Sequence, residues 1–134
     1  YKKIMSEMDI IIGNDLEFAI ADNSLDGFQL TKEFVKQKPS IIVYKMGEKG
    51  SRVFTKEKEF EFGIFKVDAI KPTGAGDAFN GGFISSLYQG FSLEESIKRG
   101  SANAALVVTK VGCSSAMPNN DELEKFINQK SMEI

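Results

Sequence analysis

Histidine is absent from the 134 residues, and Cys113 is the single cysteine. These two shortages exclude Ser/His/Asp and Cys/His catalysis, zinc sites of the Cys/His type and any disulfide within the chain. Runs of Lys or Arg longer than two residues are also missing, and 17 basic against 19 acidic side chains leave a formal net charge of -2. Such a balance offers no general attraction to a polyanion, so nucleic acid is not an expected partner. No apolar run approaches the roughly 18 residues of a membrane span, and no signal-peptide pattern is visible. No membrane association is expected, and a soluble, reducing, cytoplasmic setting fits. What chemistry the chain performs must use Asp, Glu, Lys, Ser, Thr and the backbone.

With 42% hydrophobic and 27% charged residues, the composition is that of an ordinary globular domain able to bury a core. The chain opens on Tyr1 rather than Met, which points to a cut rather than a natural start. Residues 9–12, "DIII", form a short apolar run suited to a buried parallel strand, followed by Gly13 and Asn14 as a turn and a helix opening at Asn14 or Asp15. Ser24 is placed as the N-cap of a helix reaching about Gln37, ended by Pro39. "IIVYK", residues 41–45, reads as a second buried strand, and "MGEKG" then separates it from "SRVFTK". Residues 60–70 alternate loosely as a further strand, so this region predicts a hairpin.

Phe79, Phe83, Ile84 and Leu87 fall at helical spacing, with Gly90 as the stop. Ser92 and Glu95 predict a capping box for a helix over 93–110, closed by Gly112. A last helix from Asn119 or Asn120 should bury Leu123, Phe126 and Ile127. Strands alternating with helices imply an α/β fold: a Rossmann-like three-layer α/β/α arrangement whose mostly parallel sheet carries an antiparallel hairpin in its middle. Ligands of such folds sit at the carboxyl ends of the strands.

The densest chemistry lies in "KPTGAGDAFNGGF", residues 71–83, with four glycines beside one carboxylate. Thr73, Gly74, Ala75 and Gly76 are placed in a strand-to-helix turn, where the unpaired N–H groups of a helix start and the bareness of glycine let an anion approach the backbone. Asp77 sits in the first helical turn. A carboxylate beside a bound phosphate is unfavourable unless metal or proton transfer is involved, which suggests a base aimed at a nucleophile. The simpler alternative is that Asp77 complements the helix dipole. Gly81 and Gly82, costly inside a helix, are expected to face a close neighbouring backbone or a ligand. The stretch is not a dinucleotide fingerprint, whose third glycine falls here on Phe79. "GEKGS" is not a P-loop either, since Lys49 precedes Gly50.

"PTGAGDAFNGGF" resembles the C-terminal signature of the ribokinase-like (PfkB) sugar kinases, and three further elements agree in order and spacing. "GNDLE" is similar to that family's Asn-x-x-Glu element, "KMGEKG" to its ATP-carrying loop, and "SANAALVVTKVGCSSAMP" to the helix and loop that close over the adenine. The resemblance covers nearly the whole chain. It implies Asp77 as catalytic base and an anion hole at Gly74, Ala75 and Gly76. It further implies Asn14 on a nucleotide phosphate and Glu17 organising Mg²⁺ through its waters. ATP would be held by Lys45, Gly47, Glu48 and Gly50, with Ser101 and Asn103 near the adenine.

Departures from the family pattern carry their own expectations. Lys71 stands where the family usually has an Asp that helps to hold potassium, so an ammonium group takes that place and K⁺ activation is in doubt. Lys45 replaces the usual Thr. Lys71 with Pro72, Lys45 and the "SSAMP" ending resemble a subgroup that phosphorylates a sugar acid of inositol breakdown. Family members run to roughly twice this length, so residues 1–134 correspond to the C-terminal, nucleotide-binding half, and the sugar pocket and small β lid belong to the other half. The apolar surface that half would cover makes a homo-oligomer an expected state. A nucleoside kinase on the same scaffold, and a non-catalytic nucleotide-binding module, are the other readings.

Overall fold

The structure is a computed structural model and describes residues 1–22, 26–112 and 114–133. Two compact units divide it, Tyr1–Phe62 and Gly63–Ile134.

The first unit holds α1 (Lys2–Met5), β1 (Ile10–Asn14), α2 (Asp15–Ala21), α3 (Gly27–Phe34), β2 (Ile41–Lys45), a single 3₁₀ turn (Gly47–Lys49), β3 (Ser51–Thr55) and β4 (Glu59–Phe62). The strands form one sheet in the order β1-β2-β3-β4. β1 and β2 are parallel, with Ile10 opposite Ile41 and Asn14 opposite Lys45. The β2/β3 and β3/β4 pairs are antiparallel. Within this unit the sheet is therefore mixed, with its antiparallel strands on one side rather than a hairpin in the middle of a mostly parallel sheet. Connection length explains this. The β1–β2 link contains α2 and α3, long enough for a parallel crossover, whereas residues 46–50 and 56–58 can only turn the chain back on itself.

α3 begins after Asp26, whose Oδ1 accepts from the Gln29 N–H at 2.9 Å. The expected cap, Ser24, lies outside the described residues. α3 and α2 close over Phe18, Leu30, Phe34, Ile42, Tyr44 and Phe54. Val43 and Val53, paired with each other and one residue out of phase with Ile42 and Phe54, are also fully buried. Tyr44 stacks on Phe18 at 5.0 Å and lies 4.7 Å from Phe28. Burial, then the carboxylates of Asp15 and Asp26, pushes its hydroxyl above the usual tyrosine range. Residue 27 must be glycine here, because a Cβ would stand 2.4 Å from the Tyr44 ring.

The second unit contains α4 (Ala75–Tyr88), α5 (Leu93–Val108) and α6 (Asn120–Gln129). The strand expected over 60–70 is confined to β4. Beyond it Ile64 makes an isolated bridge to Glu133, and the N–H groups of Ile70 and Lys71 both donate to the carbonyl of Val108 at the end of α5. Those two donors cap a helix instead of extending a ladder. α5 ends at Val108 with Thr109 as its cap, just short of the expected Lys110. At its other end Ser92 accepts from the Glu95 N–H at 3.1 Å, but the Glu95 carboxylate turns to Lys98 at 4.0 Å, so half of the expected capping box forms. Asn119 and Glu122 form both halves of a box at α6. Leu123 and Ile127 are buried there, and Phe126 is half-buried against Phe65.

α4 and α5 approach closely through two glycines. A Cβ on Gly82 would stand 3.1 Å from the Gly100 Cα, and one on Gly100 would stand 2.9 Å from the Phe79 carbonyl oxygen. Gly82 thus meets the expectation of a close backbone, whereas among the described residues nothing lies within 4 Å of the Cβ position at Gly81. Arg99, 4% exposed, pins all three helices: Nε donates to Ser86 Oγ at 3.2 Å, Nη1 to Glu124 at 2.5 Å and Nη2 to Asn120 at 3.1 Å, with Phe91 under the guanidinium. Gly100→Val should destabilise the chain by about 2–3 kcal/mol, because backbone rather than a movable side-chain tip blocks the added methyls. Urea unfolding followed by circular dichroism checks this, and a midpoint equal to wild type would contradict the close crossing.

Candidate active site

At the end of β1 the chain passes directly into α2, and Asn14 caps that helix. Asn14 Oδ1 accepts from the Glu17 N–H at 2.9 Å, while Glu17 Oε2 accepts from the Asn14 N–H at 2.7 Å. This reciprocal box holds the two side chains expected on phosphate and Mg²⁺ at one point, the carboxyl end of β1. Glu17 is exposed. One of its oxygens, Oε2, accepts from the backbone.

Lys45, register partner of Asn14, closes the adjacent parallel strand. The structure thus brings Asn14, Glu17 and Lys45 to the carboxyl ends of the parallel β1/β2 pair, where ligands of α/β sheets bind. The loop that follows is tight. The Met46 N–H donates to the Gly50 carbonyl at 2.8 Å and the Gly50 N–H to the Gly47 carbonyl at 3.1 Å. Gly47 has φ 61° and Gly50 has φ 83°, both left-handed, which accounts for glycine at each place. Gly47 and Glu48 are exposed and Gly50 is buried. A cavity of about 170 Å³ beside Glu17 is lined by Met5, Ile11, Ile12, Gly13 and Phe18. It is apolar and smaller than a nucleotide site requires.

In the second unit the signature turn is tighter than expected. Gly74 is the N-cap, with φ 90°, and Ala75 and Gly76 already belong to α4. They therefore occupy the first two helical positions rather than the loop. The N–H groups of a helix's first turn have no intrahelical acceptor, and a glycine N-cap brings no side chain to occupy them. Asp77, third in the helix, is exposed. The Ala75 N–H donates to the Pro72 carbonyl at 3.3 Å, so a bare cap, the amides of Gly76 and Asp77 and an exposed carboxylate in one turn are the groups that can hold a negative oxygen and take a proton beside it.

Ser101 and Asn103 lie midway along α5, both half-buried. Asn103 Nδ2 donates to the Ala78 carbonyl at 2.9 Å, tying α5 to the residue that follows Asp77. This tie was not foreseen from sequence, and neither was the Arg99 hub. The signal for both is the run of small residues around Gly100, which brings α5 near enough to α4 for polar contacts. Among the described residues no group of three or more His, Cys, Asp or Glu side chains could hold a metal ion, and no helix is long and apolar enough to cross a membrane. A lone exposed Glu17 fits a divalent ion that travels on nucleotide phosphates with most of its water, and does not fit an all-protein cage.

The chain belongs to the pfkB family of carbohydrate kinases, whose model matches residues 1–131. Its relatives include proteins named 5-dehydro-2-deoxygluconokinase: that of Photobacterium profundum is 37% identical over 132 residues, covering 94% of this chain and 40% of the relative. That of Listeria monocytogenes is also 37% identical, covering 96% and 41%. The chain thus spans about 40% of the length of the curated relatives it matches. Among solved structures, the ribokinase of Thermotoga maritima superposes with a TM-score of 0.88 at 30% identity, covering 96% of this chain and 45% of that one. A nucleoside kinase of the ribokinase family from Methanocaldococcus jannaschii gives 0.84 at 28%, covering 95% and 42%. These likenesses bear out the ribokinase-like α/β fold.

Proposed function

We propose that this chain is the nucleotide-binding and phosphoryl-transfer half of a sugar kinase that moves the γ-phosphoryl group of ATP to a primary hydroxyl of a sugar acid, 5-dehydro-2-deoxygluconate. The observation that carries the reading is the start of α4: Gly74 at φ 90° opens a helix whose first turn presents exposed Asp77. The names of the relatives at 35–37% identity support the acceptor.

The acceptor hydroxyl oxygen attacks the γ-phosphorus in line, the bond to the β–γ bridging oxygen breaks, and ADP leaves. Asp77 receives the hydroxyl proton, late in a loose transition state where little base strength is needed. The amides of Gly76 and Asp77 hold the developing charge, joined by that of Ala75 when it turns from the Pro72 carbonyl. Asn14 would contact a nucleotide phosphate, and Glu17 would hold the waters of a Mg²⁺ ion whose charge would offset that of the phosphates. Lys45, Gly47, Glu48 and Gly50 carry the nucleotide, and Ser101 and Asn103 lie toward its base. Lys71 is exposed just ahead of the turn. Its ammonium group supplies positive charge there, and potassium is dispensable.

The complete enzyme should convert Mg·ATP and 5-dehydro-2-deoxygluconate to ADP and phosphorylated sugar acid in equal amounts, in sodium as well as in potassium. A clear preference for 2-dehydro-3-deoxygluconate, fructose, ribose or a nucleoside would replace the proposed acceptor. A several-fold gain on exchanging sodium for potassium would sink the role given to Lys71. The 134-residue chain by itself should bind Mg·ATP weakly and phosphorylate nothing, because orientation of the acceptor accounts for several kcal/mol of such barriers and the part that would supply it lies outside this chain. Sustained turnover by the chain alone would show a complete active site within it.

A further inference from the structure

Gly81 is a glycine in a helix interior that the chain's own packing does not require. It lies in the middle of α4, it is exposed, and among the described residues nothing comes within 4 Å of the position a Cβ would take. Its neighbour Gly82 is different: backbone and Asn103 crowd its Cβ position, so Gly82 is explained by the crossing with α5. A glycine weakens a helix interior, so Gly81 needs a reason outside the helix pair.

Its place relative to Asp77 provides one. The two residues are four apart, hence neighbours on one face, with Cβ positions about 5–6 Å apart. Helical side chains lean toward the helix start and cover the turn before their own Cα. Any side chain at 81 would therefore lie over the turn that carries Asp77, in the space an acceptor must enter to bring its hydroxyl to that carboxylate. We infer that Gly81 is a specificity-determining position, its missing side chain leaving clearance for the body of the sugar beside Asp77. This rests on the kinase reading above.

The test compares wild type, Gly81→Ala and Gly81→Leu in two assays. In thermal unfolding of the complete enzyme, Gly81→Ala should raise the midpoint by about 1–3 °C, since the helix gains and the space at 81 is clearance for substrate. In steady-state kinetics of the complete enzyme, Gly81→Leu should lower kcat/KM for the sugar acid by about 10- to 200-fold. The KM for ATP should stay within about twofold, since the nucleotide residues are untouched. Gly81→Ala should fall between the two.

An unchanged kcat/KM for the sugar acid in Gly81→Leu overturns the inference while leaving the kinase reading intact. So does a loss shared equally by ATP and sugar together with a lowered melting temperature of the complete enzyme, which would mark position 81 as a packing contact. A wild-type enzyme that phosphorylates no sugar removes the kinase reading, and this inference with it.

Discussion

Asp77→Asn in the complete enzyme should lower turnover by about 10²- to 10⁴-fold, the range a positioned base contributes, with ATP affinity little changed. The asparagine keeps the size of the side chain and leaves the Gly74 cap and the amides of α4 in place, so what disappears is the acceptor for the hydroxyl proton. Turnover by product formation and ATP affinity by calorimetry should be read on the same preparation. If more than about a tenth of the turnover survives, the change costs less than 1.4 kcal/mol of barrier, too little for a base, and Asp77 is then no more than a charge complementing the helix dipole. If ATP affinity falls in parallel, the residue acts on the nucleotide instead.

Gly76→Val should have an effect of similar size through the other component of the site. Gly76 is the second residue of α4 and is exposed. Valine is no worse than glycine as a helix former, so folding should be unaffected, and α4 to α6 should keep their circular dichroism and melting temperature. The branched side chain would stand where a phosphoryl oxygen must reach the first-turn amides, a place where one lost donor is worth about 10²- to 10³-fold. Wild-type activity in this variant would dispose of the anion hole. Loss of helical signal would mean that position 76 is glycine for structural reasons.

The site was legible in sequence to the extent that its parts are local. Gly74, Ala75, Gly76 and Asp77 are consecutive, so a glycine turn with a carboxylate in the first turn of the following helix could be read from them, although the cap at Gly74 could not. The helix boundary moved by two residues, because Ala75 and Gly76 entered α4. Asn14 and Glu17 were legible as a pair three apart, although their mutual hydrogen bonds, which hold both side chains, were not. Asn103 was placed near the adenine on family resemblance, and the structure shows its amide bound to the Ala78 carbonyl. That bond depends on how closely α5 lies against α4, which no spacing within α5 reports.

What the sequence by itself determined is therefore what a few adjacent residues dictate: helix starts at Asn14, Ser92 and Asn119, the turn glycines at 47, 50, 74, 90 and 112, and a carboxylate in the first turn of the helix that follows the glycine stretch. Tertiary structure decided the mixed sheet, the burial of Arg99 among Ser86, Glu124 and Asn120, and which of two adjacent glycines is a packing glycine. The physical reason is range. A cap or a turn is a contest among backbone groups within four residues, which sequence displays directly. A close helix crossing or a buried charge is settled by atoms 13 to 25 residues away, and by whether they leave room for a Cβ.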